Sequence, residues 1–237
     1  MIADALELAD RLAATDPGAE VPRAGLMHGG SGEALLFLRL YERLGDPGLL
    51  DCAAAALRRD LDRCAPIVDG SLQVDDRWRS LPYLATGSAG IGLVLHEYLR
   101  HRADDRFAAA LALIQRAAMP ELTVQSGLFN GRAGLLALLA LTGGGAAAPR
   151  AAVRRHLRRL GWHAVDYRGR LAFPGDQVVR LSMDLATGSA GVLLGLSAAL
   201  DPRPAFLPFL PGGTPAPTPH PNGLPDRGGL VPTGERR

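Results

Sequence analysis

Lysine is absent from this chain of 237 residues: all 26 basic side chains are arginine. Against 24 acidic residues the formal charge is only +2, which excludes a global nucleic-acid footprint. Aromatic residues make up just 5%, so a core must be built from Leu, Ala and Val. Cys52 and Cys64 are the only cysteines, and with no Cys-x-x-Cys partner they read as idle thiols rather than a disulfide or a zinc pair. No apolar run approaches the ~20 residues that a membrane-spanning helix needs. Residues 1–10 hold three acids and no base, against a signal peptide. The expectation is a cytoplasmic chain with neither nucleic acid nor membrane as partner.

What the chain has is repetition. Leucine, two variable residues and Gly-x-x-Gly occur together four times, each leading into an apolar run. The copies are Leu26-Met-His-Gly29-Gly-Ser-Gly32, Leu84-Ala-Thr-Gly87-Ser-Ala-Gly90, Leu128-Phe-Asn-Gly131-Arg-Ala-Gly134 and Leu185-Ala-Thr-Gly188-Ser-Ala-Gly191. The second and fourth are identical. Self-similarity at this period marks stacked units that cannot bury their apolar faces alone.

Each phrase is followed by a helical pattern apolar on most sides, over residues 34–44, 91–99, 135–141 and 192–200, as expected of inner helices. More amphipathic segments at 47–64, 104–118 and 147–160 read as outer helices, and 2–14 as another. The glycines suit a tight turn that approaches a neighbouring backbone. Thr86, Ser88, Thr187 and Ser189 are expected to cap the helices that follow. Residues 67–74 and 165–173, ahead of the second and fourth phrases, read as strands around a Gly-containing turn. The expected fold is all-α with two small β-hairpin insertions and a superperiod of two. Residues 202–237 hold ten of the 18 prolines, so the domain is expected to span 1–200, with 201–237 a disordered tail.

These tandem units resemble the LanC-like cyclase domain of lanthipeptide synthetases. The stretches 25–29, 81–90 and 181–191 are most similar to the class III enzymes, in which lyase and kinase domains precede the cyclase. The resemblance covers about residues 1–200. It implies a partial α/α toroid, about four of seven Gly-x-x-Gly helix pairs, with the turns around one mouth. It also implies a precursor peptide as substrate, with separate kinase and lyase components, or the missing cyclase repeats, as further partners. Zinc-dependent members carry a cysteine two residues before the first glycine of one repeat and a Cys-His pair in the next. The matching positions here are Ala85, Phe129 and Asn130, so no metal and no other cofactor is expected.

His28, just before Gly29, stands where the resemblance places a proton donor or acceptor. Adding a cysteine thiol to dehydroalanine needs a base for the thiol and an acid for the enolate, and an imidazole can do either. Thr86, Asn130 and Thr187 would line the peptide site. The rival is a histidine satisfied by its turn, in an inactive cyclase-like fragment that binds a peptide or partner as a scaffold. A carbohydrate-active α/α barrel is disfavoured by the lack of a carboxylate pair. Arg150, Arg154, Arg155, Arg158 and Arg159 form an arginine-rich helix face, read as solvated. The remaining histidines, His96, His101, His156, His163 and His220, carry no constellation.

Overall fold

The computed structural model describes residues 2–13, 23–204 and 206–210. Among these, eight α-helices alternate between two layers. The inner helices are α2 (Gly30–Leu44), α4 (Ser88–Leu99), α6 (Arg132–Thr142) and α8 (Ser189–Leu200); the outer ones are α1 (Ile2–Ala13), α3 (Pro47–Leu61), α5 (Asp105–Ala117) and α7 (Ala147–Leu160). Within each pair α2 packs on α3, α4 on α5 and α6 on α7, while α2, α4, α6 and α8 stand in a row. Composition explains the layering. Ten of the residues of α4 are buried, Ile91 to Leu95 among them, whereas α5 buries one stripe through Phe107, Leu111 and Ile114.

Two of the outer helices, α3 and α5, start on side-chain caps. Asp46 Oδ1 accepts from the Gly48 N–H at 2.9 Å ahead of Pro47, and Asp104 Oδ1 accepts from the Phe107 N–H at 3.0 Å. The inner helices do not. Their caps are Gly29, Gly87, Gly131 and Gly188, none with a side-chain cap bond. The expected hydroxyl caps are therefore wrong: Ser88 and Ser189 are already the first helical residues. The reason is steric. A Cβ on Gly87 would lie 2.5 Å from the Leu81 carbonyl oxygen, and one on Gly188 equally close to that of Ser182. Only glycine fits a cap pressed this closely against its own turn.

Both insertions ahead of the second and fourth phrases are antiparallel β-structure. The first is larger than a hairpin: β1 (Cys64–Pro66), β2 (Leu72–Asp75) and β3 (Ser80–Leu81) pair in that order. It begins at Cys64, earlier than expected, because 67–71 forms the turn, with Gly70 at φ +72° and Asp69 Oδ1 accepting from the Ser71 N–H. The second joins β4 (Val165–Tyr167) to β5 (Arg170–Ala172) through Arg168 and Gly169, both at positive φ, a type I′ arrangement.

Past α8, Leu210 is buried and Phe206 and Leu207 pack against the same core, while the Phe209 carbonyl accepts from Arg39 Nε of α2 at 2.9 Å. The rest of the expected tail, 211–237, lies outside the described residues.

Candidate functional site

The four glycine phrases come together at one end of the inner helices. A backbone ladder joins them: Met27 N–H donates to Ala85 O at 2.9 Å, Ala85 N–H to Phe129 O at 3.0 Å, and Phe129 N–H to Ala186 O at 3.0 Å. A side-chain row runs beside it. The Cβ of Leu26 lies 2.8 Å from where a Cβ on Gly90 would stand, Leu84 is 3.0 Å from that point on Gly134, and Leu128 is 2.8 Å from it on Gly191. Each leucine is thus a knob in a hole made by the next unit's second glycine. That is the physical reason for the spacing Leu-x-x-Gly-x-x-Gly.

The ladder brings the expected site residues into one line. His28, Thr86, Asn130 and Thr187 each follow a rung by one residue, so neighbouring members of the row are adjacent. Its two ends are not: at the roughly 4.8 Å spacing of paired extended backbones, His28 and Thr187 stand about 14 Å apart. His28 and Asn130 are exposed, Thr86 and Thr187 half-buried. His28, Thr86 and Asn130 have no hydrogen bond or ion pair among the described residues. Thr187 is held by Asp184, whose Oδ1 accepts from its N–H at 2.7 Å and whose Oδ2 accepts from its hydroxyl at 2.9 Å. The Ser182 hydroxyl also donates to Asp184 Oδ2, at 2.5 Å, and together these donors hold the exposed carboxyl down at about 2.

The positions that resemblance assigns to zinc are also brought together, since Ala85 and Phe129 share a rung and Asn130 follows. Their chemistry does not fit the ion. Alanine and phenylalanine offer no donor, neutral Asn130 stands alone, and no group of three or more His, Cys, Asp or Glu among the described residues is placed to hold a metal.

Two buried polar devices support the turns from behind, and sequence reasoning missed both. Asp60, on α3 and fully buried, accepts from the N–H groups of Gly25 (3.0 Å), Gly30 (2.8 Å) and Ser31 (2.8 Å) and from the Ser31 hydroxyl (2.6 Å). Burial pushes its carboxyl up, against the pull of these donors. In the third unit Arg132, the residue after Gly131, turns outward. It donates to Glu121 O, Thr123 O and His156 Nδ1, so the His156 proton sits on Nε2 and donates to Ala118 O at 2.8 Å. Burial, followed by the Arg132 charge, holds His156 below its ordinary range and therefore neutral. The readable signals were an Asp at the C-terminal end of the Ala/Leu-rich helix and an Arg inside a glycine phrase.

Other sequence readings settle quietly. Cys52 and Cys64 are free thiols, and burial with Asp60 and Asp62 pushes Cys64 up to about 12. On the arginine face, Arg155 and Arg159 pair with Glu121, and Arg159 stacks on the exposed ring of Trp162. His101 Nε2 lies 3.1 Å from Glu42, with its ring edge-on to Tyr41. Among the described residues no helix is long and apolar enough to cross a membrane.

No protein-family model matches the chain. It is 54% identical over 204 residues to the probable SapB synthase of Streptomyces coelicolor, an alignment that takes in 84% of this chain and 22% of that protein. The chain thus spans about a fifth of its relative's length. This identity supports the kinship with lanthipeptide synthetases that the glycine phrases suggest.

Proposed function

We propose that this chain is a cyclase-type segment of a class III-like lanthipeptide synthetase, part of an α/α toroid, and that it promotes thiol addition to dehydroamino acids of a precursor peptide. The observation that carries this reading is the ladder, which sets His28, Thr86, Asn130 and Thr187 in one accessible row. Its length of about 14 Å matches four or five residues of extended peptide at ~3.3 Å each. Thr86, Asn130 and Thr187 offer hydroxyl and amide groups to such a backbone.

In the proposed step His28 takes the cysteine S–H proton, and the thiolate forms a bond to Cβ of dehydroalanine. The electron pair of the C=C bond passes to the enolate, and the imidazolium returns its proton to Cα. Electrons and protons balance, and the imidazole ends as it began. Because the donor set at positions 85, 129 and 130 does not suit zinc, no step is routed through a metal. Kinase and lyase components would supply the dehydrated peptide, in the cytoplasm.

The test is mass spectrometry of a dehydrated, thiol-containing precursor incubated with this chain under zinc chelation, alone and with kinase and lyase partners, then alkylated. Loss of alkylatable thiol above the spontaneous rate, reduced about 10²-fold or more by His28→Ala, is the expected result. Unchanged thiol under every condition overturns the catalytic reading. Binding of the peptide without turnover, indifferent to His28→Ala, would instead establish a scaffold.

A further inference from the structure

The turn that carries His28 is tied down differently from the other three. In the second, third and fourth units, amides that open the inner helix donate to a carbonyl seven residues upstream, in the turn's own lead-in. Ala89 N–H bonds to Pro82 O at 3.1 Å, Arg132 and Ala133 N–H to Gln125 O (2.9 Å) and Ser126 O (3.1 Å), and Ser189 N–H to Ser182 O (2.8 Å). In the first unit the matching amides, those of Gly30 and Ser31, donate instead to the Asp60 carboxylate on α3.

One carboxylate closes the whole loop. Asp60 Oδ2 accepts from the Gly25 N–H, where the loop opens, and from the Ser31 N–H and hydroxyl, where it ends; Oδ1 accepts from the Gly30 N–H. Between them the Gly29 N–H donates back to Gly25 O at 2.9 Å. His28 sits at the tip of this ring, exposed and without a hydrogen bond of its own among the described residues. Its place is therefore set by the loop, whose two ends meet on Asp60. Packing leaves no slack behind it. A Cβ on Gly29 would lie 2.5 Å from Asp60 Oδ1, and one on Gly30 would run into the Ala56 carbonyl of the same helix. Burying a carboxylate is costly, and the other turns manage without a buried one. The exception falls on the turn that bears the only ionisable member of the row.

We infer, on the reading of His28 as the proton shuttle, that Asp60 is its positioning residue: it fixes the loop 25–31 from behind, so that the imidazole meets the peptide row at one place. Asp60 touches no substrate. The role needs an acceptor-only group, since four donors converge on its two oxygens. Asparagine keeps the shape, but its NH₂ group must face either the Gly30 N–H or the donors of Gly25 and Ser31.

The test sets Asp60→Asn beside Glu97→Gln, which also strips the charge from a buried carboxylate, but in the last turn of α4, away from the glycine turns. Amide exchange of the whole chain comes first. Asp60→Asn should speed exchange at Gly30 and Ser31 about 10-fold or more relative to Ala89 and Ala133, whose acceptors are backbone. Glu97→Gln should not single out Gly30 and Ser31. In the thiol-loss assay Asp60→Asn should lower kcat about 10-fold or more and leave KM within about twofold, because Thr86, Asn130 and Thr187 still hold the peptide. Glu97→Gln should keep both constants. Ser31→Ala deletes one of the four donors and should give the same pattern at about 3-fold, which covers an Asp60→Asn chain that does not fold. Equal kcat losses in the Asp60 and Glu97 variants would mean general destabilisation and overturn the inference. So would unchanged exchange at Gly30 and Ser31, or faster exchange there with kcat intact. A wild-type chain without turnover sinks the proposed chemistry by itself, and exchange alone then decides whether Asp60 fixes the loop.

Discussion

The second and fourth glycine phrases are the same seven residues, Leu-Ala-Thr-Gly-Ser-Ala-Gly, yet almost every side chain in them has a different fate. Leu84 is fully buried and Leu185 is 43% exposed. The Ser88 hydroxyl is buried without a partner, while that of Ser189 accepts from the Phe173 N–H at 2.9 Å. Thr86 has no hydrogen bond among the described residues, whereas Thr187 is clamped by Asp184. What the copies share is backbone. In both, a Cβ on the second glycine would press on the carbonyl of the phrase's own leucine and on the preceding unit's leucine. The phrase therefore specifies a turn and a stacking geometry; neighbours assign the chemistry. Tyr83 stands before one copy and Asp184 before the other, and one copy is mid-row while the other is at its end.

The largest expected contrast is at the leucines. Leu84→Ala should cost about 4 kcal/mol, the range for truncating a fully buried leucine in a region with little room to collapse. Leu185→Ala should cost less than about 1 kcal/mol, as its side chain is already wet. Urea unfolding of both variants at low protein concentration checks this, and equal losses would mean that the fourth unit is covered in solution. The glycines should behave alike. Gly90→Ala and Gly191→Ala should each cost about 3 kcal/mol, because a backbone carbonyl cannot yield as a flexible side chain does. A copy that tolerated alanine would break the shared-backbone half of the comparison.

The alternation of inner and outer helices was legible from the start because it rests on local rules: glycine phrases, apolar runs and proline or aspartate at outer starts. The row of His28, Thr86, Asn130 and Thr187 was legible for the same reason, as equivalent positions in a repeat end up side by side. The supports behind the turns were not. Asp60 reaches its donors from 29 to 35 residues away, and Arg132 meets His156 across 24, pairings that no periodicity encodes. The hydroxyl caps were misread because Ser and Thr have the right propensity, while the close backbone approach that forces glycine into the cap position is a tertiary fact.

The hydroxyls give a smaller contrast. Ser189→Ala strands the buried Phe173 N–H and should cost about 1.5 kcal/mol, while Ser88→Ala removes a buried oxygen that has no partner and should be neutral or stabilising by about 0.5 kcal/mol. Opposite signs in thermal unfolding of two identical sequence positions would be the sharpest form of the lesson. Acid adds a further separation between supports. His156 is held neutral, its proton affinity lowered by burial and by Arg132, so its share of stability is intact above about pH 6.5, the ordinary histidine value, and is lost as pH falls through its depressed folded value. His156→Gln should flatten that part of the stability–pH curve, leaving the share of His96, which burial lowers likewise.

Asp184 supplies the smallest effect and a different window. Its carboxyl, at about 2 in the folded chain, lies below the ordinary ~3.9 of an aspartate, so the stability it lends is present above about pH 4 and lost as pH falls toward 2. The group is almost fully exposed, and solvent screening keeps the amount below about 1 kcal/mol. Asp184→Asn should therefore barely move the midpoint of urea unfolding at pH 7, yet remove the separate acid limb between pH 4 and 2. Asp184→Ala removes the acceptors of both the Thr187 N–H and its hydroxyl, so Thr187 in that variant should resemble Thr86 in its amide exchange. If exchange at Thr187 stays slow, the turn and not Asp184 holds it, and the difference between the two phrases would narrow to burial alone.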